Sequence, residues 1–186
     1  MTRQLDKILV IDLEATCWRE KPPEGQQSEI IEIGLCVLDV RSGERAAPQA
    51  ILVRPQRSTL SEYCRKLTTL TPQMLAEGIN FSEACLLLRE EYHSQTRTWA
   101  SYGDYDRQQF MKQCQDWGVP YPFGRSHINV KNLFALQMDL EHEVDLQRGM
   151  DLIGLPFEGT LHRGVDDAWN IAAMLSRMLL ARDRQP

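Results

Sequence analysis

Long apolar runs are missing from this sequence of 186 residues. No stretch approaches the roughly 18 uninterrupted apolar residues that indicate a membrane-spanning helix. The chain enters its first strand within MTRQLDKILVID, with no apolar region of the signal-peptide kind before it. Internal repeats and low-complexity segments are absent as well. We therefore expect a soluble cytoplasmic protein that does not interact with membranes and forms a single domain over residues 5–182.

Closely spaced cysteine pairs are also missing. The five cysteines are an odd number, widely spaced, and include no C-x-x-C pair. This pattern fits reduced thiols in a cytosol better than disulfides or a zinc site. We expect no cysteine chemistry.

Positive charge is in short supply. The formal net charge is -5, with 21 Lys and Arg against 26 Asp and Glu. This balance argues against a sequence-independent nucleic-acid binder that works through a large basic surface. It does not exclude a nuclease, because four acids clustered around divalent ions would account for most of the excess.

The first strand carries two acids within an apolar run. Residues 8–18 read ILVIDLEATCW and contain Asp12 and Glu14. Because side chains alternate along a strand, these carboxylates project the same way, about 6 to 7 Å apart. Ionised carboxylates on a strand that is apolar on both faces are costly unless a cation or partner compensates them. The pair predicts a Mg²⁺ or Mn²⁺ site, or alternatively a strand end whose acids reach solvent.

The remaining pattern favours an α/β fold. Residues 30–40 and 47–55 predict a β-hairpin after the first strand, and Thr71 with Pro72 predicts a helix start. Strands and helices then alternate, and the last helix begins near Val165. Three successive strands followed by this alternation predict a mixed central sheet flanked by helices.

Two later segments place acids at the ends of predicted elements. SYGDYDRQQF offers Asp104 and Asp106 where a strand passes into a helix, an edge at which α/β folds bind ligands. HRGVDDAWNIAAM places His162 on the loop before a helix and Asp167 in its first turns, so that His162 can fold back toward the groove that Asp167 faces. Taken alone, a histidine in this position is usually structural or solvated.

Together these segments resemble the DEDDh (DnaQ-like) 3'-5' exonucleases. VIDLEAT is similar to the first family motif and H-x4-D to the third. Asp106 matches the second motif better than Asp104, because only Asp106 directly follows an aromatic residue and precedes Phe110 by four positions. IDLEATCW, EIIEIG, CRKLTTLTPQML and HRGVDDAWNIA look most like the branch that trims histone mRNA and small RNAs. The resemblance implies a ribonuclease H-like exonuclease fold.

The resemblance also implies a reaction. Phosphodiester bonds would be hydrolysed from the 3' end of single-stranded nucleic acid, RNA before DNA, with release of nucleoside 5'-monophosphates. Two Mg²⁺ or Mn²⁺ ions would be held by Asp12, Glu14, Asp106 and Asp167. An imidazole titrates in the physiological range, which suits His162 to the role of general base.

Four neighbouring residues are candidates for substrate contact. Arg107 and Arg163 adjoin motif residues and could bind a phosphate; solvated arginines beside acids are the alternative. Tyr105 and Trp18 could stack on the terminal bases, although loop packing is the favoured reading of Trp18.

Four other positions have structural expectations. Thr69 stands where relatives often carry glycine. Glu29 and Glu32 flank EIIEIG and are expected to face solvent or to support the fold rather than to bind metal. Trp169 lies in the apolar stripe of the last helix and is expected in the core.

Two other functions stay open beside an RNA exonuclease. One is a DNA-directed proofreading or repair exonuclease on the same fold, and the other is a silent nucleic-acid-binding module. We expect nearly all of the chain to be catalytic domain, so that specificity for a structured RNA would need a protein partner.

Overall fold

The computed structural model describes residues 4–180 and contains the predicted mixed sheet. The strands are β1 (Gln4–Ala15), β2 (Ile30–Asp39), β3 (Arg45–Leu52), β4 (Arg97–Ser101) and β5 (His127–Asn129). They lie in the order β3-β2-β1-β4-β5. β1 pairs antiparallel with β2 and parallel with β4, and β4 pairs parallel with β5. The predicted domain end at residue 182 lies outside the described residues.

Helices cover both faces of this sheet. They are α1 (Glu62–Thr68), α2 (Pro72–Ala76), α3 (Phe81–Glu90), α4 (Tyr105–Trp117), α5 (Val130–Gln137), α6 (Leu146–Leu152) and α7 (Gly164–Leu180). Among residues 4–180, none of these helices combines the length and the apolar character that crossing a bilayer requires.

Local sequence signals set several helix ends. The predicted cap at Thr71 is confirmed, because its hydroxyl accepts a hydrogen bond from the N–H of Met74 at 3.2 Å. Gly118 ends α4 with a φ of 64°. Thr69 ends α1 with a φ of 60°, a left-handed conformation that glycine adopts without steric cost.

The side chains of β1 alternate between two halves of the core. Ile8 and Val10 pack with residues of α5, α6 and α7 on one face. Leu9, Ile11 and Leu13 pack with residues of α3 and α4 on the other. Burying one such side chain stabilises the fold by about 1.5–3 kcal/mol. β1 is therefore the central strand of the sheet, as expected of a strand that is apolar on both faces.

Two glycines bring the start of α7 against β1 and β2. A Cβ on Gly34 would lie 1.8 Å from the carbonyl carbon of Gly164, and a Cβ on Gly164 would lie 3.1 Å from the carbonyl oxygen of Asp12. Only residues without side chains permit so close an approach of backbones. Asp167 follows three residues after Gly164, so this contact sets the position of its carboxylate.

The carboxyl end of β1 extends past its parallel neighbour. β4 pairs with β1 as far as Val10, opposite Ala100. Asp12 and Glu14 lie beyond that point, where β4 has ended and the chain turns into α4. The opening between β1 and the first turn of α4 is where the candidate site lies.

Trp169 differs from its expected position. Its side chain is half-buried at the edge of the core, and its indole N–H donates a hydrogen bond to Glu158 at 3.2 Å. The guanidinium carbon of Arg45 lies 4.1 Å above the centre of the ring. An indole N–H needs a polar partner, which holds this residue at the boundary rather than inside the core.

Candidate active site

One cavity of about 540 Å³ collects the acids of all three motifs at the carboxyl end of β1. We call it the acid cavity; its lining includes Asp12, Glu14, Asp106, His162 and Asp167. Glu14, Asp106 and Asp167 are buried, with 8%, 4% and 5% of their surface exposed. Asp12 is half-buried and His162 is exposed. The structure thus brings together residues that the sequence places in three separate segments.

Three of these carboxylates are close enough to share a cation. Oxygen atoms of Asp12, Glu14 and Asp167 all lie within 4.8 Å of one another. Among the described residues, Oδ2 of Asp167 is buried and has no hydrogen-bond partner. Buried polar atoms are nearly always satisfied, and carboxylate oxygens are ligands that hard divalent cations prefer. The residues present therefore fit a divalent metal ion.

The structure separates the two candidate acids of the second motif. Oδ1 of Asp106 accepts a hydrogen bond from the backbone N–H of Leu13 at 2.9 Å, which ties α4 to β1 between the two acids of the strand. Asp104 is exposed, and its Oδ2 accepts a hydrogen bond from the side chain of Asn129 at 3.2 Å. Asp106 therefore enters the acid cavity, whereas Asp104 turns toward β5.

Burial raises the pKa of each of the four motif acids, and neighbouring charges add to the rise for all of them except Asp106. Burial, followed by the charges of Asp167 and Glu32, raises the pKa of Glu14 to about 9. Burial raises the pKa of Asp106 and that of Asp167 to about 7 each. Burial and the neighbouring carboxylates also place the pKa of Asp12 well above its ordinary value. Unless a cation compensates their charge, Glu14 keeps its proton at neutral pH, whereas Asp106 and Asp167 release theirs in that range.

A buried ion pair fixes the loop that carries His162. Glu32 is fully buried and lies opposite Glu14 in the β1–β2 register. It accepts hydrogen bonds from Nε and Nη2 of Arg163 at 3.1 and 3.3 Å, and from the N–H of Gly164 at 3.2 Å. Removing one partner of such a pair costs about 3–5 kcal/mol. The sequence offered no signal for this contact, which spans 131 positions.

Glu29 and Glu32 were expected either to face solvent or to support the fold. Both are buried and support the fold, so the expectation of solvent exposure is wrong. Glu29 is 1% exposed and accepts hydrogen bonds from the backbone N–H groups of Gln56 and Arg57, both at 2.7 Å. It therefore shapes the segment that follows β3. Both glutamates are buried because backbone or guanidinium donors satisfy them.

The loop around His162 is held on both sides. Arg163 anchors it to Glu32, and Oδ2 of Asp166 accepts a hydrogen bond from the N–H of Thr160 at 2.8 Å. His162 itself has a φ of 63°, which residues other than glycine seldom adopt. Its neighbours thus impose a strained backbone that leaves the imidazole exposed at the cavity mouth.

The four candidates for substrate contact lie in different places. Tyr105 lines the acid cavity and is 54% exposed, so its ring is available for stacking. Arg163 is paired with Glu32, and Arg107 lines a different cavity. Trp18 is half-buried and, among the described residues, is not part of the lining of the acid cavity. Tyr102 and Gln147, which the sequence did not single out, line it as well.

Comparison with known proteins decides the family. The sequence matches the family described as Exonuclease, RNase T, over residues 9–175. The chain belongs to this exonuclease family. The predicted resemblance is thereby confirmed over most of the chain.

The exonuclease has named relatives. It is 30% identical over 188 residues to the 3'-5' exoribonuclease 1 of Homo sapiens, a match covering 94% of this chain and 52% of the human protein. It is 25% identical over 194 residues to the 3'-5' exonuclease Snipper of Drosophila melanogaster, covering 92% of this chain and 69% of that protein. The chain therefore spans about half the length of the human relative and more of the fly one.

A solved structure confirms the predicted fold class. The nuclease domain of 3'hExo, described as a DEDDh family member bound to rAMP, is 27% identical to this exonuclease and matches it with a TM-score of 0.86. The match covers 97% of this chain and 95% of that one. This exonuclease is thus a DEDDh 3'-5' exonuclease domain with the ribonuclease H-like fold. Members of the family depend on divalent metal ions, a requirement that the acid cavity fits.

The raised pKa values predict that the metal-free exonuclease loses stability as pH rises. A carboxylate whose pKa is higher in the folded chain than in the unfolded chain binds more protons when folded. The free energy of unfolding therefore falls from a pH near the unfolded values, about 4, up to the folded values of about 7 to 9. We expect calorimetry in EDTA to show a falling Tm over this window, and Mg²⁺ to restore it at pH 9.

Variants test whether the pH dependence of Tm comes from the acid cavity or from other surface carboxylates. Asp12→Asn with Glu14→Gln should flatten the fall of Tm and remove the response to Mg²⁺. Asp104→Asn should keep both the fall of Tm with pH and the response to Mg²⁺, because Asp104 lies outside the cavity. A Tm in EDTA that is constant from pH 5 to pH 9 would contradict the raised pKa values.

Proposed function

We propose that the chain hydrolyses single-stranded RNA from its 3' end and releases nucleoside 5'-monophosphates. The observation that carries this proposal is the acid cavity, where four carboxylates and an exposed histidine from three segments meet. The name of the human relative, an exoribonuclease, and the rAMP bound to the related nuclease domain support RNA over DNA.

We propose further that Asp12, Glu14, Asp106 and Asp167 hold two Mg²⁺ or Mn²⁺ ions. Two divalent ions, when bound there, neutralise charge on the phosphate and lower the pKa of the attacking water. The surrounding protein holds the four carboxylates close together although they repel one another. The hydrogen bond from Leu13 fixes the direction of Asp106, and the contact of Gly34 with Gly164 sets the start of α7.

His162 is the proposed general base. It lies on a loop at the cavity mouth, so its imidazole can reach a water in the cavity without being buried among the acids. The anchor of Arg163 on Glu32 keeps the loop near the cavity, while the exposed side chain stays free to move when substrate binds. Its neutral form would take the proton from the attacking water.

Single strands suit the site better than duplexes. The acid cavity is small, and the net charge of -5 provides no broad basic face for gripping paired strands. The exposed ring of Tyr105 at its edge would stack on a terminal base.

A DNA-directed exonuclease is the second candidate function. It would use the same acid cavity, and only contacts to the 2'-hydroxyl would distinguish it. A silent binding module is disfavoured, because clustered buried carboxylates cost stability that binding alone does not require.

A cytoplasmic location and a protein partner for structured RNA also belong to the proposal. The five free cysteines support the location.

The polarity of the reaction has a direct test. Linear and circular RNA of the same sequence, with Mg²⁺, should behave differently, because an exonuclease needs a free 3' end. We expect a 5'-labelled linear strand to shorten one nucleotide at a time while the circle stays intact on a denaturing gel. Matched DNA strands should be cut more slowly. Cleavage of the circle would show an endonuclease instead.

The role of His162 has a separate test. We expect His162→Ala to lower kcat by about 10² to 10⁴, the usual contribution of a general base. Under single-turnover conditions, the rate of the wild type should rise as the imidazole loses its proton, and the variant should lack that step. His142→Ala, a change at an exposed histidine away from the cavity, is the control. An unchanged kcat in His162→Ala would make His162 structural.

A further inference from the structure

A second cavity of about 850 Å³ lies against another face of α4. We call it the arginine cavity; its walls include Trp99, Arg107, Tyr121, Phe123, Arg125 and His127. The reaction proposed above uses none of these groups for chemistry. The cavity is larger than the acid cavity, and its lining combines aromatic rings with cationic side chains.

Two of the three rings in the aromatic wall are buried, and Tyr121 is the accessible one. The rings of Trp99 and Phe123 stack with centroids 4.3 Å apart, and the ring of Tyr121 meets Phe123 edge-on at 5.7 Å. Tyr121 is half-buried, so part of its ring faces the opening. Nucleic-acid bases stack on such rings with little preference for sequence.

An unsatisfied donor lies in the same wall. Trp99 is fully buried, and its indole N–H has no hydrogen-bond partner among the described residues. Buried donors are almost always paired. Because this N–H is covered by its neighbours, a ligand in the cavity does not reach it without movement of the wall.

The rim of the cavity is cationic. Arg107 and Arg125 are exposed, and within residues 4–180 neither forms an ion pair. No Asp or Glu is among the residues that line the cavity. Burial and the charge of Arg107 lower the pKa of His127, while Asp104, 4.0 Å away, opposes them. The positive charge therefore comes from the two arginines, in a chain whose net charge is -5.

The first turn of α4 joins the two cavities. Tyr105 and Asp106 line the acid cavity, and Arg107 lines the arginine cavity. Consecutive Cα atoms are about 3.8 Å apart. The linings of the two cavities therefore meet at neighbouring residues of α4.

We propose that the arginine cavity binds an unpaired nucleotide of the RNA strand whose 3' end occupies the acid cavity. The base stacks on the accessible ring of Tyr121, and its phosphate lies between Arg107 and Arg125. This assignment rests on the proposed RNA exonuclease function.

Substrate length tests the assignment. Steady-state kinetics would compare an adenosine dinucleotide with a twelve-nucleotide oligo(A) for the wild type, Arg125→Gln and Arg177→Gln. The ratio of the KM for the dinucleotide to the KM for the long strand should fall about tenfold in Arg125→Gln, as expected for loss of a charged contact to phosphate. Arg177→Gln removes the same charge from an exposed position near the end of α7 and should leave the ratio unchanged.

Calorimetric titration with 5'-AMP in EDTA tests the cavity without catalysis. Without metal the acid cavity lacks the cations that would hold a phosphate, so binding should survive Asp12→Asn and weaken about tenfold in Arg125→Gln. Binding that is lost in Asp12→Asn but kept in Arg125→Gln overturns the assignment.

The two proposals fail in different ways. RNA degradation with an unchanged KM ratio in Arg125→Gln overturns the assignment of the arginine cavity and leaves the exonuclease function standing. If the protein degrades no RNA, the proposed function is wrong, and the RNA strand is then no longer the proposed occupant of the arginine cavity.

Discussion

Repulsion between carboxylates that are packed together at the end of β1 is the constraint on which the rest of the structure depends. Asp12, Glu14 and Asp167 have oxygen atoms within 4.8 Å of one another, and burial adds the cost of removing charge from water. Left alone, such a cluster would move apart or stay protonated. The surrounding fold holds it in place, and the charge that it needs in return is that of a divalent cation.

Several contacts oppose this repulsion, and each has its own local cause. The absent side chains of Gly34 and Gly164 let α7 begin against the sheet, so that Asp167 lies in the first turn of that helix, where the helix dipole favours a carboxylate. Glu32 adds a further negative charge but brings Arg163, which partly compensates it and fixes the histidine loop. The fold therefore positions the acids and the loop of His162 together.

The sequence predicted the parts of this arrangement that depend on short spacing. Strand alternation indicated that Asp12 and Glu14 share a face, and the step from an aromatic residue to Phe110 selected Asp106 over Asp104. The sequence did not reveal the pairing of Glu32 with Arg163 or the cavity between Arg107 and Arg125, because these depend on contacts between distant segments. Trp169 was misplaced for a related reason, since its polar partner Glu158 belongs to a loop rather than to the helix itself.

The most direct test of the central claim is the anomalous diffraction of crystals soaked with Mn²⁺. We expect anomalous peaks in the acid cavity, with carboxylate oxygens of Asp12, Glu14, Asp106 and Asp167 as ligands and Asp104 turned away toward β5. A cavity without manganese, or manganese bound by Asp104 while Asp106 points elsewhere, would contradict it.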